Sequence, residues 1–151
     1  YDTNLKLNPP LRNETDRLAL LKAVADGTVD CIATHHFPQN WDNKTCEFEY
    51  AKEGMIGLET MFGVLGKTVI GHWSLENCIE ALSAVPRTIF GLPVPEIKEG
   101  AEADITLFNA DTEYVFDETM IRSKSKNSPF IGKQLKGKVI GIVNKGKMLL
   151  N

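Results

Sequence analysis

The stretch that decides the fold runs from residue 29 to residue 39 and reads Val29-Asp-Cys-Ile-Ala-Thr-His-His-Phe-Pro-Gln39. Its first half is apolar and β-branched, which is typical of a buried strand. His35 and His36 follow, and Phe37-Pro38 ends regular structure because proline has no N–H and restricts the preceding residue. Barrels of alternating strands and helices place catalytic groups at such strand ends. From the residues alone, two solvated or hydrogen-bonded histidines at a strand end are the commoner arrangement.

The residues before this stretch predict a strand followed by a helix. Residues 3–7 alternate polar and apolar side chains, which indicates a short strand. Asn13 has the character of an N-cap, apolar residues then recur at helical spacing from Leu18, and Asp26-Gly27 is a C-terminal signal. Strand, helix and strand with short joints predict parallel strands, as in a β/α barrel or a doubly wound sheet.

The residues after Gln39 predict a loop and then two helices. The polar loop to Gly54 is long enough to be a functional lid, and a mobile surface loop is an equal alternative. Residues 57–65 predict one helix, and Ser74 begins a second, which Val85-Pro86 is expected to end.

A change of pattern near residue 92 predicts a second structural unit. Two prolines in residues 93–95 indicate a linker or domain boundary. Beyond it, apolar and polar residues alternate, as in β-strands. Residues 104–109, 113–116 and 138–143 read as strands, with a hairpin turn at residues 144–146. The predicted organisation is therefore an α/β part over residues 1–92 and a small β domain over residues 93–151, packed on the preceding helices.

Composition excludes several classes of function. A net charge of −3 predicts no basic face for nucleic acid, and the sequence has no apolar stretch of membrane-spanning length. Three widely spaced cysteines favour reduced thiols over a disulfide framework and have no zinc-finger spacing, so we expect a cytoplasmic protein. The chain opens at Tyr1 rather than methionine, which suggests part of a longer protein, a processed product or an expression product.

Seven segments together resemble the C-terminal part of dihydroorotase, in the amidohydrolase superfamily, in order and at similar spacing. They are residues 6–12 (Lys-Leu-Asn-Pro-Pro-Leu-Arg), 26–30 (Asp-Gly-Thr-Val-Asp), 32–38 (Ile-Ala-Thr-x-His-x-Pro), 54–60 (Gly-Met-Ile-Gly-Leu-Glu-Thr), 100–104 (Gly-Ala-x-Ala-Asp), 123–132 (Ser-Lys-Ser-Lys-Asn-Ser-Pro-Phe-Ile-Gly) and 135–139 (Leu-Lys-Gly-Lys-Val).

This resemblance implies a fold and a reaction. The fold class is α/β, with the chain forming the C-terminal part of a metal-dependent β/α (TIM-type) barrel followed by a small β domain. The implied reaction is hydrolysis of the cyclic amide dihydroorotate, or its closure from carbamoyl aspartate, in pyrimidine biosynthesis. A zinc-bound hydroxide attacks the ring carbonyl in such enzymes, because a metal makes water acidic. Most of the implied zinc ligands lie outside this chain, which is therefore expected to be inactive alone.

The resemblance also assigns roles to single residues. His35 stands where the family has a metal-binding, proton-shuttling aspartate, so it is the candidate catalytic residue and metal ligand. Gln39 stands where the family has a histidine that holds the substrate carboxylate. Asn8 matches a substrate-binding asparagine, and Glu53 and Gly54 fall where backbone groups hold the ring. His35 and Gln39 are departures from the family pattern, while Asn8 and Gly54 are kept.

These departures leave three hypotheses open. The first is an active dihydroorotase-like enzyme that uses zinc. The second is a non-catalytic dihydroorotase-like subunit, a folding or assembly partner of a pyrimidine-pathway transcarbamoylase, since two central positions are altered within five residues. The third is a related cyclic amidase such as a hydantoinase, because Gln39 brings no positive charge for a substrate carboxylate. Incomplete barrel surfaces also predict a homo-oligomer.

Overall fold

The structure is a computed structural model that describes residues 1–10 and 12–151; Leu11, within the motif of residues 6–12, lies outside the described residues. The described residues form four helices and three strands, accompanied by short 3₁₀ turns at Thr3–Leu5, Trp41–Asn43 and Glu118–Met120. The helices are α1 (Glu14–Ala25), α2 (Met61–Thr68), α3 (Leu75–Leu82) and α4 (Ala84–Ile89), and the strands are β1 (Asp104–Val115), β2 (Gln134–Asn144) and β3 (Lys147–Leu150).

Helix α1 begins and ends where its local signals predict. The Asn13 side chain accepts a hydrogen bond from the Asp16 N–H at 2.9 Å, as an N-cap does. Gly27 follows the helix with a φ of +78°, a conformation that glycine adopts without steric cost. Leu21 and Val24 lie against the buried side chains of α2 and α3, but no residue of α1 is itself fully buried.

The strands predicted before and after α1 are not formed. The segment that reads as a strand at residues 3–7 contains a 3₁₀ turn, begun by the Asp2 carboxylate, which accepts from the Asn4 N–H. Residues 29–34 carry no strand, and one parallel bridge, between His36 and Met55, follows them. A parallel strand needs a neighbour along its length to form a ladder. Among the described residues only a short segment around Met55 lies there, so the barrel itself is not observed.

Helices α2, α3 and α4 differ from prediction at their ends. The Ser74 hydroxyl accepts from the Asn77 N–H at 3.1 Å and caps α3 as expected. Pro86 does not end that helix. Instead α3 stops at Leu82, and Pro86 lies in the first turn of α4, where a helix makes no use of the N–H that proline lacks. Helix α2 covers Met61–Thr68 rather than residues 57–65.

The C-terminal part is a three-stranded antiparallel sheet in the order β1-β2-β3, as its period of two predicts. The predicted strands at residues 104–109 and 113–116 form one strand, β1, whose pairing with β2 shifts register twice. A two-residue turn joins β2 to β3. Lys145 and Gly146 in this turn have φ values of +49° and +70°, the geometry of the primed turns that favour hairpins.

Helix α2 packs closely on β2, so the sheet lies against one of the preceding helices. A Cβ added to Gly66 would lie 1.9 Å from the Lys136 carbonyl oxygen, which shows how near the two backbones are. Beneath this contact Ile56, Phe116 and Leu135 are buried together. The division of the chain into two domains at residues 92 and 93 stays a prediction.

Two further sequence predictions concern cysteines and membranes. The three cysteines, Cys31, Cys46 and Cys78, are free thiols. None of the helices found in residues 1–10 and 12–151 combines the length and the apolar character needed to span a membrane.

Candidate functional site

The site predicted from sequence lies where the segment ending in the two histidines meets the turn before α2. The Phe37 N–H donates to the Met55 carbonyl at 2.8 Å, which continues the parallel bridge. Nδ1 of His36 accepts from the N–H groups of Gly57 and Leu58 at 3.1 and 3.3 Å. An imidazole nitrogen that accepts carries no proton, so the neutral ring of His36 has its proton on Nε2. His36 therefore joins the two segments.

His35, the candidate catalytic residue, has a different environment from its neighbour. Its side chain is exposed, and its ring is tilted against the Phe37 ring with the centroids 6.3 Å apart. Its φ of +46° lies in the left-handed region, where histidine, asparagine and aspartate are enriched among residues other than glycine. The backbone therefore presents His35 outward and would accept aspartate at the same position.

Gln39 and Glu53, two of the predicted substrate-binding residues, are in direct contact. Nε2 of Gln39 donates to the Glu53 carbonyl at 2.8 Å, so Glu53 takes part through its backbone. Gly54 has a φ of +112°, and a Cβ there would lie 2.6 Å from both Cδ1 and the carbonyl oxygen of Phe37. Only glycine fits this position without displacing Phe37. The structure therefore brings Gln39, Glu53 and Gly54 together beside the histidine segment.

The N-terminal segment approaches the same place and carries Asn8 with it. The Gly54 N–H donates to the Lys6 carbonyl at 2.9 Å, and Asn8 follows two residues later with an exposed side chain. Because the Gly54 N–H is already bonded, the groups at this point with remaining capacity are the carbonyl oxygens, each of which has two lone pairs. Asn8 shares this neighbourhood, but among the described residues its amide makes no hydrogen bond to Gln39, Glu53 or Gly54.

Two lysines fasten the loop of residues 39–54 to the N-terminal segment, so it has the contacts of a fixed loop rather than of a lid. Nζ of Lys6 donates to the Phe48 and Glu49 carbonyls at 2.9 and 2.8 Å and lies 5.5 Å from the centre of the Phe48 ring. Nζ of Lys44 donates to the Thr3 and Lys52 carbonyls at 2.9 and 2.7 Å. Lys44 is 8% exposed, and this burial lowers the pKa of its ammonium.

Residues 121–128 close the site from the C-terminal part of the chain. Oδ1 of Asn127 accepts from the Gln39 N–H at 3.2 Å, and its Nδ2 donates to the Gly54 carbonyl at 3.1 Å. Oε1 of Glu59 accepts from the N–H and hydroxyl of Ser123 at 2.7 and 2.5 Å. Burial by itself would raise the pKa of Glu59, but the hydrogen bonds from Ser123 lower it by more. The pKa of this carboxyl is therefore lowered overall. These contacts connect the sheet unit to the predicted site.

Sequence reasoning did not identify four of these residues as parts of the site: Lys6, Lys44, Glu59 and Asn127. Lys6, Glu59 and Asn127 lie inside segments that carry the family resemblance, and that was the available signal. Their partners lie far away along the chain: the side chain of Asn127 contacts residues 88 and 73 positions earlier. Such pairings arise from tertiary structure, so spacing within one sequence does not predict them.

The residues of this chain do not fit a zinc site by themselves. Within the part of the chain that the structure describes, no three histidine, cysteine, aspartate or glutamate side chains lie together as metal ligands would. Structural zinc sites have four ligands and catalytic sites usually three from the protein. His35 has an exposed ring that can contribute one, and Nδ1 of His36 is engaged with backbone N–H groups. His35 as a ligand stays a prediction.

Comparison with known proteins identifies the family. The model of the Amidohydrolase family matches residues 4–149, and the chain belongs to this family. The chain is 41% identical over 149 residues to dihydroorotase from Bacillus subtilis and 42% identical over 149 residues to dihydroorotase from Clostridium acetobutylicum. Each alignment covers 97% of this chain and 35% of the relative. The resemblance to dihydroorotases is thus confirmed, and the chain spans about a third of the length of these relatives.

Solved structures of similar fold include two hydantoinases. An L-hydantoinase (dihydropyrimidinase) from Arthrobacter aurescens matches with a TM-score of 0.82 at 23% identity, covering 96% of this chain and 34% of that chain. A D-hydantoinase (dihydropyrimidinase) from Thermus sp. matches with a TM-score of 0.83 at 20% identity, covering 98% of this chain and 34% of that chain. At such identities the match establishes the fold and not the substrate.

Proposed function

We propose that this chain is the C-terminal part of a longer protein, called the parent protein below, that hydrolyses cyclic amides as dihydroorotases do. The observation that carries this is identity of about 40% to dihydroorotases over nearly the whole chain. The proposed substrates are dihydroorotate and, in the reverse direction, carbamoyl aspartate, in pyrimidine biosynthesis. The free cysteines suit the reducing cytoplasm, which is the proposed location.

The proposed substrate contacts come from Asn8, Gln39, Glu53 and Gly54. A cyclic amide presents ring N–H donors, which the carbonyl oxygens of Glu53 and Gly54 can accept as second hydrogen bonds. The Asn8 amide can both donate and accept at the ring edge. Gln39 gives a neutral hydrogen bond where the family has a histidine, so we expect weaker binding of the substrate carboxylate.

The proposed cofactor of the parent protein is zinc, with His35 as the ligand that this chain contributes. An imidazole can bind zinc as a neutral ligand, but it lacks the negative charge and the second oxygen of the family's aspartate. His35 is also the proposed catalytic residue, since it stands where the family has its proton-shuttling aspartate and an imidazole can both accept and donate a proton. The remaining ligands belong to segments outside this chain, so the chain alone is expected to be inactive.

Two alternatives have specific support in the same residues. By the family pattern, His35 and Gln39 are two altered functional positions within five residues while the surrounding sequence motifs are kept, which favours a non-catalytic scaffold subunit. Such a subunit would form a homo-oligomer or bind a pyrimidine-pathway transcarbamoylase. The neutral Gln39 favours a hydantoinase-like amidase, whose substrate has no carboxylate at that point.

The deciding experiment combines metal analysis and turnover on the parent protein. Near-stoichiometric zinc with dihydroorotate turnover supports the enzyme, and zinc with turnover of hydantoins alone supports the related amidase. No metal and no turnover contradict both enzymes and support the scaffold.

A double substitution then tests whether the two departures are the cause of inactivity. His35→Asp with Gln39→His restores the family's groups, and the left-handed φ of His35 accepts aspartate. Activity gained in this variant shows a competent scaffold blocked at these two positions. His72→Asp is the matched control, because His72 is exposed and lies just before α3. Activity gained in the control as well would contradict a role specific to the site.

A further inference from the structure

We propose that Asn127 is a positioning residue that holds Gln39 and Gly54 at a fixed distance from each other, so that the C-terminal unit sets the geometry of substrate binding. The inference rests on the proposed function, since it takes Gln39 and Gly54 as substrate-binding residues. Asn127 lies between the 3₁₀ turn at Glu118–Met120 and β2, outside the segments that carry the predicted site residues.

The side chain of Asn127 uses both ends of its amide on these two residues. Oδ1 accepts from the Gln39 N–H at 3.2 Å, and Nδ2 donates to the Gly54 carbonyl at 3.1 Å. Asn127 is 8% exposed, so water does not readily replace either bond. Losing a buried partner costs more than the bond itself, because the group left behind stays unsatisfied.

Other contacts of the same segment reinforce the arrangement. The Ile56 N–H donates to the Asn127 carbonyl at 3.1 Å, and the Ser125 hydroxyl lies 2.7 Å from the Gln39 carbonyl and within hydrogen-bond reach of Oδ1 of Asn127. Residues 39, 54 and 56 are therefore all held by residues 125–127. The main-chain bond to Ile56 survives a change of the Asn127 side chain, so such a change alters the position of the site while the segment stays attached.

The burial of Asn127 distinguishes positioning from direct binding. Both Oδ1 and Nδ2 of its amide already bond to the protein, and the side chain is buried. Gln39, by contrast, reaches the Glu53 carbonyl, next to Gly54. Asn127 thus acts through Gln39 and Gly54 and fixes the width of the gap between them.

Two variants of the parent protein separate the two bonds. Asn127→Ala removes both. Asn127→Asp keeps an oxygen that accepts from Gln39 but has no proton for the Gly54 carbonyl. The matched control is Asn144→Ala, which removes an exposed bond from Nδ2 of Asn144 to Asp104 at 2.8 Å in the same sheet unit. If Asn127→Ala does not fold, the same measurements are made on Asn127→Asp and Ser125→Ala instead.

The first readout is hydrogen exchange, which is independent of activity. In Asn127→Ala the amide of Gln39, which donates to Asn127, is expected to exchange about tenfold faster while α1 and α3 are unchanged. In Asn127→Asp the Gln39 amide stays protected, because the carboxylate still accepts its hydrogen bond. Unchanged exchange at Gln39 in Asn127→Ala, or equal acceleration throughout the protein, would overturn the proposal, since the latter is the signature of a general loss of stability.

The second readout is the split between KM and kcat for dihydroorotate. Asn127→Ala is expected to raise KM about tenfold and to change kcat much less, because the binding groups are displaced and the reacting centre is not. An unchanged KM, with the exchange effect present, would also overturn the proposal. A parent protein without turnover contradicts the proposed function instead, and the exchange result then decides on Asn127 alone.

Discussion

At the scale of single residues, His35 and His36 are adjacent and differ in every structural respect. His36 is partly buried and accepts two backbone N–H groups, so it stabilises the junction between two segments. His35 is exposed with a left-handed backbone, so it is available to a ligand. The local sequence pattern alone does not distinguish the two histidines, whereas their hydrogen bonds and exposure in the structure do.

Glu59 gives a pH-dependent prediction at this scale. The pKa of Glu59 is lower in the folded protein than in the unfolded chain. Ionised Glu59 therefore stabilises the fold at every pH above the ordinary pKa of glutamate. This stabilisation is lost as the pH falls through the lowered pKa of the folded state. Glu59→Gln is expected to lower the free energy of unfolding by about 1–2 kcal/mol at neutral pH, because hydrogen bonds to a charged acceptor are the stronger ones. The difference from wild type should shrink at acid pH.

Urea unfolding at neutral and acid pH measures the Glu59 effect. Glu102→Gln serves as the control, because Glu102 is exposed. We expect it to leave the free energy of unfolding unchanged at both neutral and acid pH. A Glu59→Gln deficit that stays constant with pH would contradict the assignment to the carboxylate charge.

At the scale of elements, the close contact between α2 and β2 depends on the absence of a side chain at Gly66 in α2. A methyl group at Gly66 would lie 1.9 Å from the Lys136 carbonyl oxygen, which cannot move without moving β2. Gly66→Ala is therefore expected to destabilise the protein by about 2 kcal/mol or more, although alanine favours a helix by about 1 kcal/mol over glycine. Thermal unfolding measures this, with the exposed Lys67→Ala in the same helix as the control. Equal melting temperatures for the two variants would refute it.

The loop of residues 39–54 supplies a second element-scale prediction. Lys44→Met removes two charge-assisted hydrogen bonds, one that joins the loop to the Thr3 carbonyl and one to the Lys52 carbonyl within the loop. We expect roughly tenfold faster proteolysis within the loop, since the loss makes local opening more frequent. The control is Lys52→Met, whose side chain is exposed and whose carbonyl is unchanged by the substitution. Equal cleavage rates in the two variants would show that Lys44 does not hold the loop.

At the scale of the whole molecule, much apolar surface is uncovered. Leu18 and Leu20 on α1 are each 53% exposed, Phe90 is 74% exposed and Ile97 is 91% exposed. Apolar surface of this extent marks an interaction face or an aggregation risk. We therefore expect the 151-residue chain alone to self-associate, as light scattering after size exclusion would show.

A pair of double substitutions makes the self-association test specific. Leu18→Lys with Leu20→Lys should shift the chain toward a monomer, because it removes apolar surface from α1. Thr15→Lys with Ala19→Lys adds the same charge to the same helix without removing either leucine. A monomer in the unsubstituted chain, or an equal shift in both pairs, would contradict the role of this surface.

What the sequence by itself determined are the features fixed by neighbouring residues. The caps of α1 at Asn13 and Gly27 and the turn at Lys145 and Gly146 depend on local hydrogen bonds and on φ, which nearby residues set. The period of two in the C-terminal part and the family resemblance were likewise correct, and they indicated the segments that contain the site.

Only the tertiary structure decided the rest. Residues 29–34 do not form a strand, because a ladder depends on neighbours that a local pattern cannot supply. The contact of Gln39 with Glu53 and the bridge that Asn127 makes from Gln39 to Gly54 join residues far apart in the chain. Such contacts form only once packing has brought distant backbone groups out of water, where each must find a partner. The sequence therefore indicated candidate residues such as Gln39 and Gly54, and tertiary packing decided which residues contact one another.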